Sequence, residues 1–540
     1  MRNRCLALFL GAAFFSPGGA RAQDAKKFCD PEDEGGCPKD GPKGDKAPDK
    51  PKEVFKETPI AKLDCPPCDD APVPLVRANF GGSLLGRFAL DPYFENGTEH
   101  VLEFRSKLHL YVNYQWRENA KVYVGGRFNW WTVGERSESG GFILTSAGRV
   151  RHEYEALPDE IYVDLYLKKW LKLRVGNQRF GWGANDFFAP GDVLNPMDFR
   201  EGPVGDATDP VKIPVFAGTV TVSKSGYSAT LAWAPFFTPH KMYAYGSDFA
   251  ILRANGVIAA PDLTGLVDPS VVDKLQPFVM ATQLPEESVS NSTVGLRLEA
   301  HKAGFDFGIT YVYGWDRVPQ AFADPALVAF LVESQKAQPD PARMTGAAVR
   351  MAQLVGAGQS LYTAYFSRQH VVAGDVGTTL GSFGLRLDFG GMPTQTMYVT
   401  ASDGTAVPRR FGMFSYVFGA DYSYEDKFFA QLQMLHSFLI GTTSAEPLVL
   451  FKESMVNLGF LIRWTLLDGD LEFAVQGMSN LTLQDILLRG TASYRPWRAV
   501  RIAAGYNVYQ GKYDSQGKPA SVGALFDNND AIFVQARYSF

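Results

Sequence analysis

From about residue 80 to Phe540, apolar and polar residues alternate with a period of two in one segment after another. In Val101–Trp116, the residues Leu102, Phe104, Leu108, Leu110, Val112, Tyr114 and Trp116 share one face, and Glu103, Arg105, Lys107, His109, Asn113 and Gln115 share the other. Successive side chains of a strand point to opposite faces, so a slip of one residue would exchange the two sets and the register is well specified. The same division recurs in Ile161–Lys168, Leu296–His301, Phe305–Tyr313, Leu385–Phe389, Leu458–Leu466 and Val500–Val508. The pattern predicts about 18 strands, with 16 the alternative count. They fall near 82–90, 100–116, 120–131, 150–167, 170–180, 212–224, 227–235, 292–302 and 304–314, then 361–369, 380–389, 412–423, 427–438, 454–467, 470–477, 486–494, 498–509 and 530–540.

The connections alternate in length. Short polar turns are predicted at Arg117-Glu118-Asn119-Ala120, Lys224-Ser225-Gly226, His301-Lys302-Ala303-Gly304, Asp468-Gly469-Asp470 and Tyr494-Arg495-Pro496-Trp497. Between the pairs lie long segments at 132–149, 181–211, 236–291, 315–360, 390–411 and 510–529. A soluble sandwich has no reason to sort its loops this way. A transmembrane barrel does, with tight periplasmic turns and extended outer loops. The last strand alternates Ile532, Val534, Ala536, Tyr538 and Phe540 with Phe533, Gln535, Arg537 and Ser539. It resembles the carboxy-terminal strand by which bacterial outer-membrane barrels are recognised for assembly, which implies a contact with that machinery.

Composition agrees with an all-β transmembrane antiparallel barrel. The chain has 540 residues, a net charge of -5, 13% aromatic residues and 53 glycines. Its mean hydropathy of -0.12 is too low for a bundle of membrane helices. Nothing in it suggests nucleic-acid binding. The amino terminus reads as a secretory leader over 1–22: basic Arg2 and Arg4, an apolar run Cys5–Phe15, and a small-x-small site at Ala20-Arg21-Ala22. Residues 23–79, rich in Pro, Lys and Asp, lack the apolar residues to bury a core and read as a flexible periplasmic arm that can meet a periplasmic partner. The four remaining cysteines, Cys29, Cys37, Cys65 and Cys68, all fall in this arm. An oxidising compartment favours structural disulfides over a redox C-x-x-C or a zinc site, and sequence leaves the pairing open.

A barrel of 16 to 18 strands is wide enough for an aqueous lumen. Alternation places Arg105, Lys107, Arg127, Lys172, Arg174, Arg297, Arg386, Arg463, Arg501 and Arg537 on the inner face, with Glu103, Asp164, Glu299, Asp388 and Glu472. Tyr111, Tyr123, Tyr162 and Tyr166 share that face. One reading is a conduit whose basic groups attract anions and whose tyrosines stack on sugar rings; the other is a wall knitted by salt bridges. The excess of Arg and Lys favours an anionic permeant. The segment 181–211, rich in Gly, Asn, Asp and Pro, is expected to fold inward as a constriction, with its backbone satisfied internally.

At that point the sequence carries a motif: Gly176, Gln178, Trp182, Gly183 and Asp186, then Leu194, Asn195, Pro196, Asp198 and Arg200. It resembles a family of large porin-like proteobacterial outer-membrane barrels, some of them linked to lipid or hydrophobic-substrate traffic. The resemblance covers some 25 residues. It implies outer-membrane transport without naming a substrate; of these residues, Gln178, Trp182, Asp186, Asn195, Asp198 and Arg200 are the candidates for the constriction. The general plan of a large barrel with a periplasmic arm also resembles barrels that export polysaccharide. No plug-sized domain precedes the barrel, which argues against energy-coupled uptake.

Two outer segments, 262–284 and 319–357, carry apolar residues at helical spacing and are expected to cap the mouth or to receive a hydrophobic molecule or surface partner. Catalysis is the rival class. The seven histidines are scattered, and His436-Ser437, adjacent in a strand, point to opposite faces. No catalytic, metal or cofactor motif stands out. The expectation is a non-enzymatic channel in contact with outer-membrane lipid; direction of traffic and oligomeric state stay open, and a surface adhesin or structural barrel is the remaining alternative.

Overall fold

The computed structural model describes residues 76–90, 101–134, 150–202, 211–242, 249, 252–253, 258–259 and 280–540, the last stretch without 335, 337, 403–405, 446 and 516–518. The leader, the arm with its four cysteines, and most of the segment 262–284 lie outside the described residues.

Eighteen antiparallel strands form one closed barrel. In chain order they are β1 (Val76–Leu90), β2 (Val101–Trp116), β3 (Ala120–Gly134), β4 (Val150–Lys168), β5 (Leu171–Gln178), β6 (Val215–Lys224), β7 (Tyr227–Ala234), β8 (Thr293–Lys302) and β9 (Phe305–Trp315). There follow β10 (Arg368–Leu380), β11 (Phe383–Thr400), β12 (Ala406–Tyr424), β13 (Phe428–Ile440), β14 (Ser454–Leu466), β15 (Leu471–Asn480), β16 (Asp485–Trp497), β17 (Val500–Gln510) and β18 (Ala531–Ser539). Each strand pairs with the next, and β18 closes on β1 from Ser83↔Ser539 to Leu90↔Ile532.

The outer face explains why the alternation is so regular. Phe80, Phe128, Leu231, Ile309, Leu432, Ile462 and Val534 are all exposed, Ile309 at 61%. In water so broad an apolar surface would drive association; in lipid it is the required solvent match. Trp116, Trp170, Tyr227, Trp464, Tyr494 and Trp497 stand exposed beside the short turns. They form the aromatic girdle of a membrane interface. Every barrel strand finds two neighbours, so no sheet edge faces lipid. The chain is an outer-membrane barrel.

The tight turns follow from backbone chemistry. Ser225 and Gly226 have φ of 52° and 82°, and Ala303 and Gly304 have 55° and 80°. Two successive positive φ values give the turn whose twist matches that of the flanking strands.

Several predicted boundaries move. β1 starts at Val76 rather than at 82, so the barrel begins before residue 80. The strand expected at 361–369 is not part of the barrel. Tyr362–Tyr365 belongs to a small sheet with Met280–Thr282 and Gln320–Ala323, and the barrel strand is β10. The long loop expected at 390–411 is mostly strand, because β11 runs to Thr400 and β12 starts at Ala406. The turn expected at Tyr494–Trp497 lies at 498–499 instead.

Segment 319–357 supplies two helices, α1 (Pro325–Ser334) and α2 (Pro341–Gly356), which pack on each other. Asp340 caps α2 by accepting from the Ala342 N–H at 2.9 Å, and Pro341 occupies the first turn, where no donor is needed. Leu327, Phe330, Met351 and Leu354 are buried between the helices and the barrel core. That core lies inside the barrel: Trp182, Phe188 and Leu194 join Val371, Leu435 and Leu461 of the wall in one apolar cluster.

Candidate functional site

The inward-folded loop begins where β5 ends. Gly176 has φ +133°, and a Cβ there would stand 2.1 Å from the Ile161 carbonyl oxygen, so only glycine lets β4 and β5 approach. Gly183, at φ +139°, turns the chain into the lumen. Gln178 is buried and its Nε2 donates to Ala217 O at 2.8 Å. Asn195 ties the returning chain to the departing one: Oδ1 accepts from the Phe180 N–H at 2.6 Å, and Nδ2 donates to Ile213 O at 2.8 Å and Gln178 O at 3.2 Å. An amide carries a donor and an acceptor, which a carboxylate at this position would lack.

From there the loop crosses to the far wall. The Ala184 N–H donates to the Asp388 carboxylate of β11 at 3.0 Å. The Phe187 and Phe188 N–H groups donate to Gln433 Oε1 of β13 at 3.0 and 3.2 Å. Asp186 accepts from Gln431 Nε2 at 2.6 Å and lies 3.8 Å from Arg386 Nη1. The wall has no side chain where the loop presses hardest: Trp182 lies on Gly295, Phe187 and Phe188 on Gly459, Pro190 on Gly390 and Asn185 on Gly419. Trp182, Phe187, Phe188 and Leu194 are all buried. Burying four such side chains is worth about 6–12 kcal/mol. This side is an anchor.

The described parts of the return leg, 196–202 and 211–214, and the chain after β7 face β2–β4 through charges. Glu201 pairs with Arg105 and Lys107 of β2. Asp159 of β4 pairs with Arg127 of β3 at 2.8 Å, with His109 at 3.1 Å and with Arg179. Arg200 reaches Glu155 of β4 at 2.8 Å and Asp198 at 2.6 Å, and its guanidinium lies 5.0 Å from the Trp131 ring. Lys241 joins Glu155 at 2.5 Å, and Lys212 joins Asp192. Most of these side chains stay partly open to solvent, where an ion pair contributes about 1 kcal/mol or less. This side is a latch. Desolvation by itself would raise the Glu201 carboxyl, but Arg105 and then Lys107 hold it well below the usual carboxylate range. Behind it His240 accepts from the Met197 N–H at Nδ1, 2.9 Å away, and burial pushes its imidazole down to about 3. A cavity of about 230 Å³ separates latch from wall, lined by Lys107, Arg127, Asp159, Asp198, Lys212 and Lys241.

Nearer the short turns the same wall carries an aromatic rib. The rings of Tyr111 and Tyr123 stack at 5.8 Å, those of Tyr123 and Tyr162 at 5.5 Å, and the Arg174 guanidinium lies 3.9 Å over Tyr162. Lys172 lies 5.3 Å from the Tyr166 ring. Asp164 binds Arg174 Nη2 at 2.8 Å and Lys172 at 3.2 Å.

The predicted basic residues thus fall into three groups. Arg105 and Lys107 pair with Glu201 of the loop, Arg127 pairs beside them with Asp159 of the wall, and Lys172 and Arg174 flank the rib with Tyr162 and Tyr166. The rest are spread around the wall: Arg297 binds Asp375 at 2.8 Å, Arg386 binds Asp421, Arg501 lies 3.6 Å from Glu472, Arg463 packs 5.4 Å from the Phe429 ring, and Arg537 sits opposite Arg501. The salt-bridge reading describes most of them. Sequence reasoning missed the carboxylates that complete the latch, Glu155, Asp159 and Glu201, and the cations Lys212 and Lys241. Nothing local marks Glu155, Glu201 and Lys241, since the inward fold brings up their partners, whereas Asp159 meets Arg127 and Arg179 through strand pairing alone.

No family model matches the chain, and no curated protein matches it. Among solved structures, it is similar to the loop L8 deletion mutant of OmpT, an outer membrane protein of Vibrio cholerae, at 10% identity over 86% of this chain and 100% of that one, TM-score 0.35. Salmonella typhi OmpF in complex with daunomycin matches at 10% identity over 86% and 97%, TM-score 0.36. Acinetobacter baumannii OccAB2 matches at 7% identity over 86% and 98%, TM-score 0.42. At these values the likeness adds nothing to the reading of the lumen.

Proposed function

We propose that this barrel is a gated outer-membrane transport channel for polar or anionic solutes, with residues 181–211 as its constriction. The observation that carries the reading is the unequal attachment of that loop. Apolar burial and backbone bonds fasten it to β11–β14, while partly solvated ion pairs of Glu201 with Lys107 and of Arg200 with Glu155 hold it to β2 and β4. By magnitude the latch yields first. A solute would then pass along β2–β5, meeting Lys107, Arg127 and Lys241, then the rib and Arg174. A polysaccharide chain belongs to the same permeant class and would require wider displacement.

A second reading, a hydrophobic cargo, draws on the continuous apolar cluster that joins the loop, the wall and both helices. Single-channel conductance in a planar bilayer, with and without residues 181–211, tests the first. Silence of the intact chain and conductance after deletion is the expected pair. A large steady conductance from the intact chain removes the constriction from the reading. Conductance after deletion without any preference for anions points to the hydrophobic alternative.

A further inference from the structure

The ladder between β10 and β11 stops early. Its last pair is Val372↔Gly391, although β10 extends back to Arg368 and β11 on to Thr400. Beyond that pair β10 stays with β9 as far as Trp315↔Arg368, and β11 stays with β12 as far as Thr400↔Ala406. The wall splits at this seam. Residues that follow β9 fill the split through side chains rather than a ladder. The Asp316 N–H donates to Ser367 O at 2.8 Å on one side, and the Asp316 carboxylate accepts from the Thr396 N–H at 3.0 Å on the other. Gln320 Nε2 spans the same gap, to Ser367 Oγ at 3.1 Å and Thr396 Oγ1 at 3.3 Å.

The next residue turns toward the lumen. Arg317 Nη2 donates to Leu194 O at 2.6 Å, its Nε to Val193 O at 3.4 Å, and its Nη1 to Thr238 O. Those carbonyls belong to the constriction and to the strand exit that carries His240 and Lys241. Arg317 is buried, and among the described residues no carboxylate pairs with it. A desolvated guanidinium without a counter-ion is costly, and only a full set of acceptors makes it tolerable. Its fork therefore fits one arrangement of these two segments and penalises any other.

We propose that Arg317 is a positioning residue that pins the constriction in its closed arrangement, and that Asp316 beside it couples this pin to the split seam of the wall. The inference rests on the reading of 181–211 as a constriction. The 316–320 wedge is held by side-chain bonds, by the Asp316 backbone bond to Ser367 and, at Gln320, by the small sheet, so it can shift without unzipping any ladder of the barrel.

The test compares Arg317→Met and Arg317→Lys with the wild-type chain and with the 181–211 deletion, by open probability in planar bilayers. Heat-modifiable migration on gels reports that each barrel is closed. Loss of a charge-assisted bond shifts a two-state balance by about tenfold, so Arg317→Met should open at least that much more often, with Arg317→Lys in between. A barrel whose Arg317→Met form stays as closed as wild type, while the deletion conducts, overturns the pin and leaves the constriction standing. A silent deletion form overturns the constriction itself. Should the Met variant fail to assemble, Arg317→Lys decides alone: unchanged open probability overturns the pin, and a raised one supports it.

Discussion

If the latch opens by exposing His240, acid should open the channel well before it titrates the latch carboxylate Glu201. His240 lies behind the return leg, accepting from the Met197 N–H, edge-on to Phe199 and next to the Arg317 charge. Lys241 beside it is paired with Glu155. Burial, with Arg317 adding to it, lowers the imidazole from 6.5 to about 3. The closed form therefore binds fewer protons than a form with His240 in water. Its advantage is complete above pH 6.5 and is lost progressively as pH falls from there toward 3. At pH 5 the loss is about 2 kcal/mol, or roughly a thirtyfold gain in the open population over pH 7.5. Glu201 works in a different window: its lowered pKa keeps the latch carboxylate charged, so its contribution is present above about 4.5 and fails only below it. The assay is open probability between pH 7.5 and 5, for wild type and for His240→Gln, whose amide oxygen can still accept from Met197. The expected result is a steep rise in wild type and a nearly flat profile in the variant. A flat wild-type profile would mean that His240 stays buried when the channel opens. An unchanged slope in His240→Gln would assign the proton to another group.

Two further outcomes are expected. Glu201→Gln removes the carboxylate shared by Arg105 and Lys107; the channel should open several-fold more often and lose sensitivity to added salt, and unchanged salt dependence counts against an ionic latch. Replacing Arg174 and Arg179 together by Gln leaves Asp164 and Asp159 less compensated, so ion selectivity measured by reversal potential in a salt gradient should move toward cations; an unmoved potential argues against a passage along β2–β5.

The barrel was legible because lipid imposes a strict rule on every second residue. Where that rule lapses, the reading failed. In β10 the inward Val371 and Ala373 pack on core and loop rather than on water, so apolar residues occupy both faces and the alternation fades. In β11, Gln395 to Val399 are buried on both sides, and period two vanishes there as well. The inward turn of the loop was legible from Gly176, Gly183 and Asn195, whose roles are local: a close approach, a positive φ and an amide bridging two nearby legs. The latch was not. Lys107 meets Glu201 across 94 residues and Arg200 meets Glu155 across 45; only the inward fold creates those pairs. Arg317, some 120 residues from the carbonyls it binds in Val193 and Leu194, left no trace in any motif.

The anchor also dictates an order of assembly. Phe187 and Phe188 leave the chain between the fifth and sixth strands, yet their N–H groups find Gln433 only 246 and 245 residues later. Contacts of such separation form late, after the intervening chain has been placed. Until β11–β14 arrive, only Gly295 of β8 is in place for Trp182, and the loop lacks the rest of its glycine seat and the Asp388 and Gln433 acceptors for its backbone. It must wait in the concave side of a growing sheet and be enclosed as the sheet curls. Seam closure and lumen filling are then a single event, and a chain stalled before β13 would present an aromatic hook with nothing to hold it.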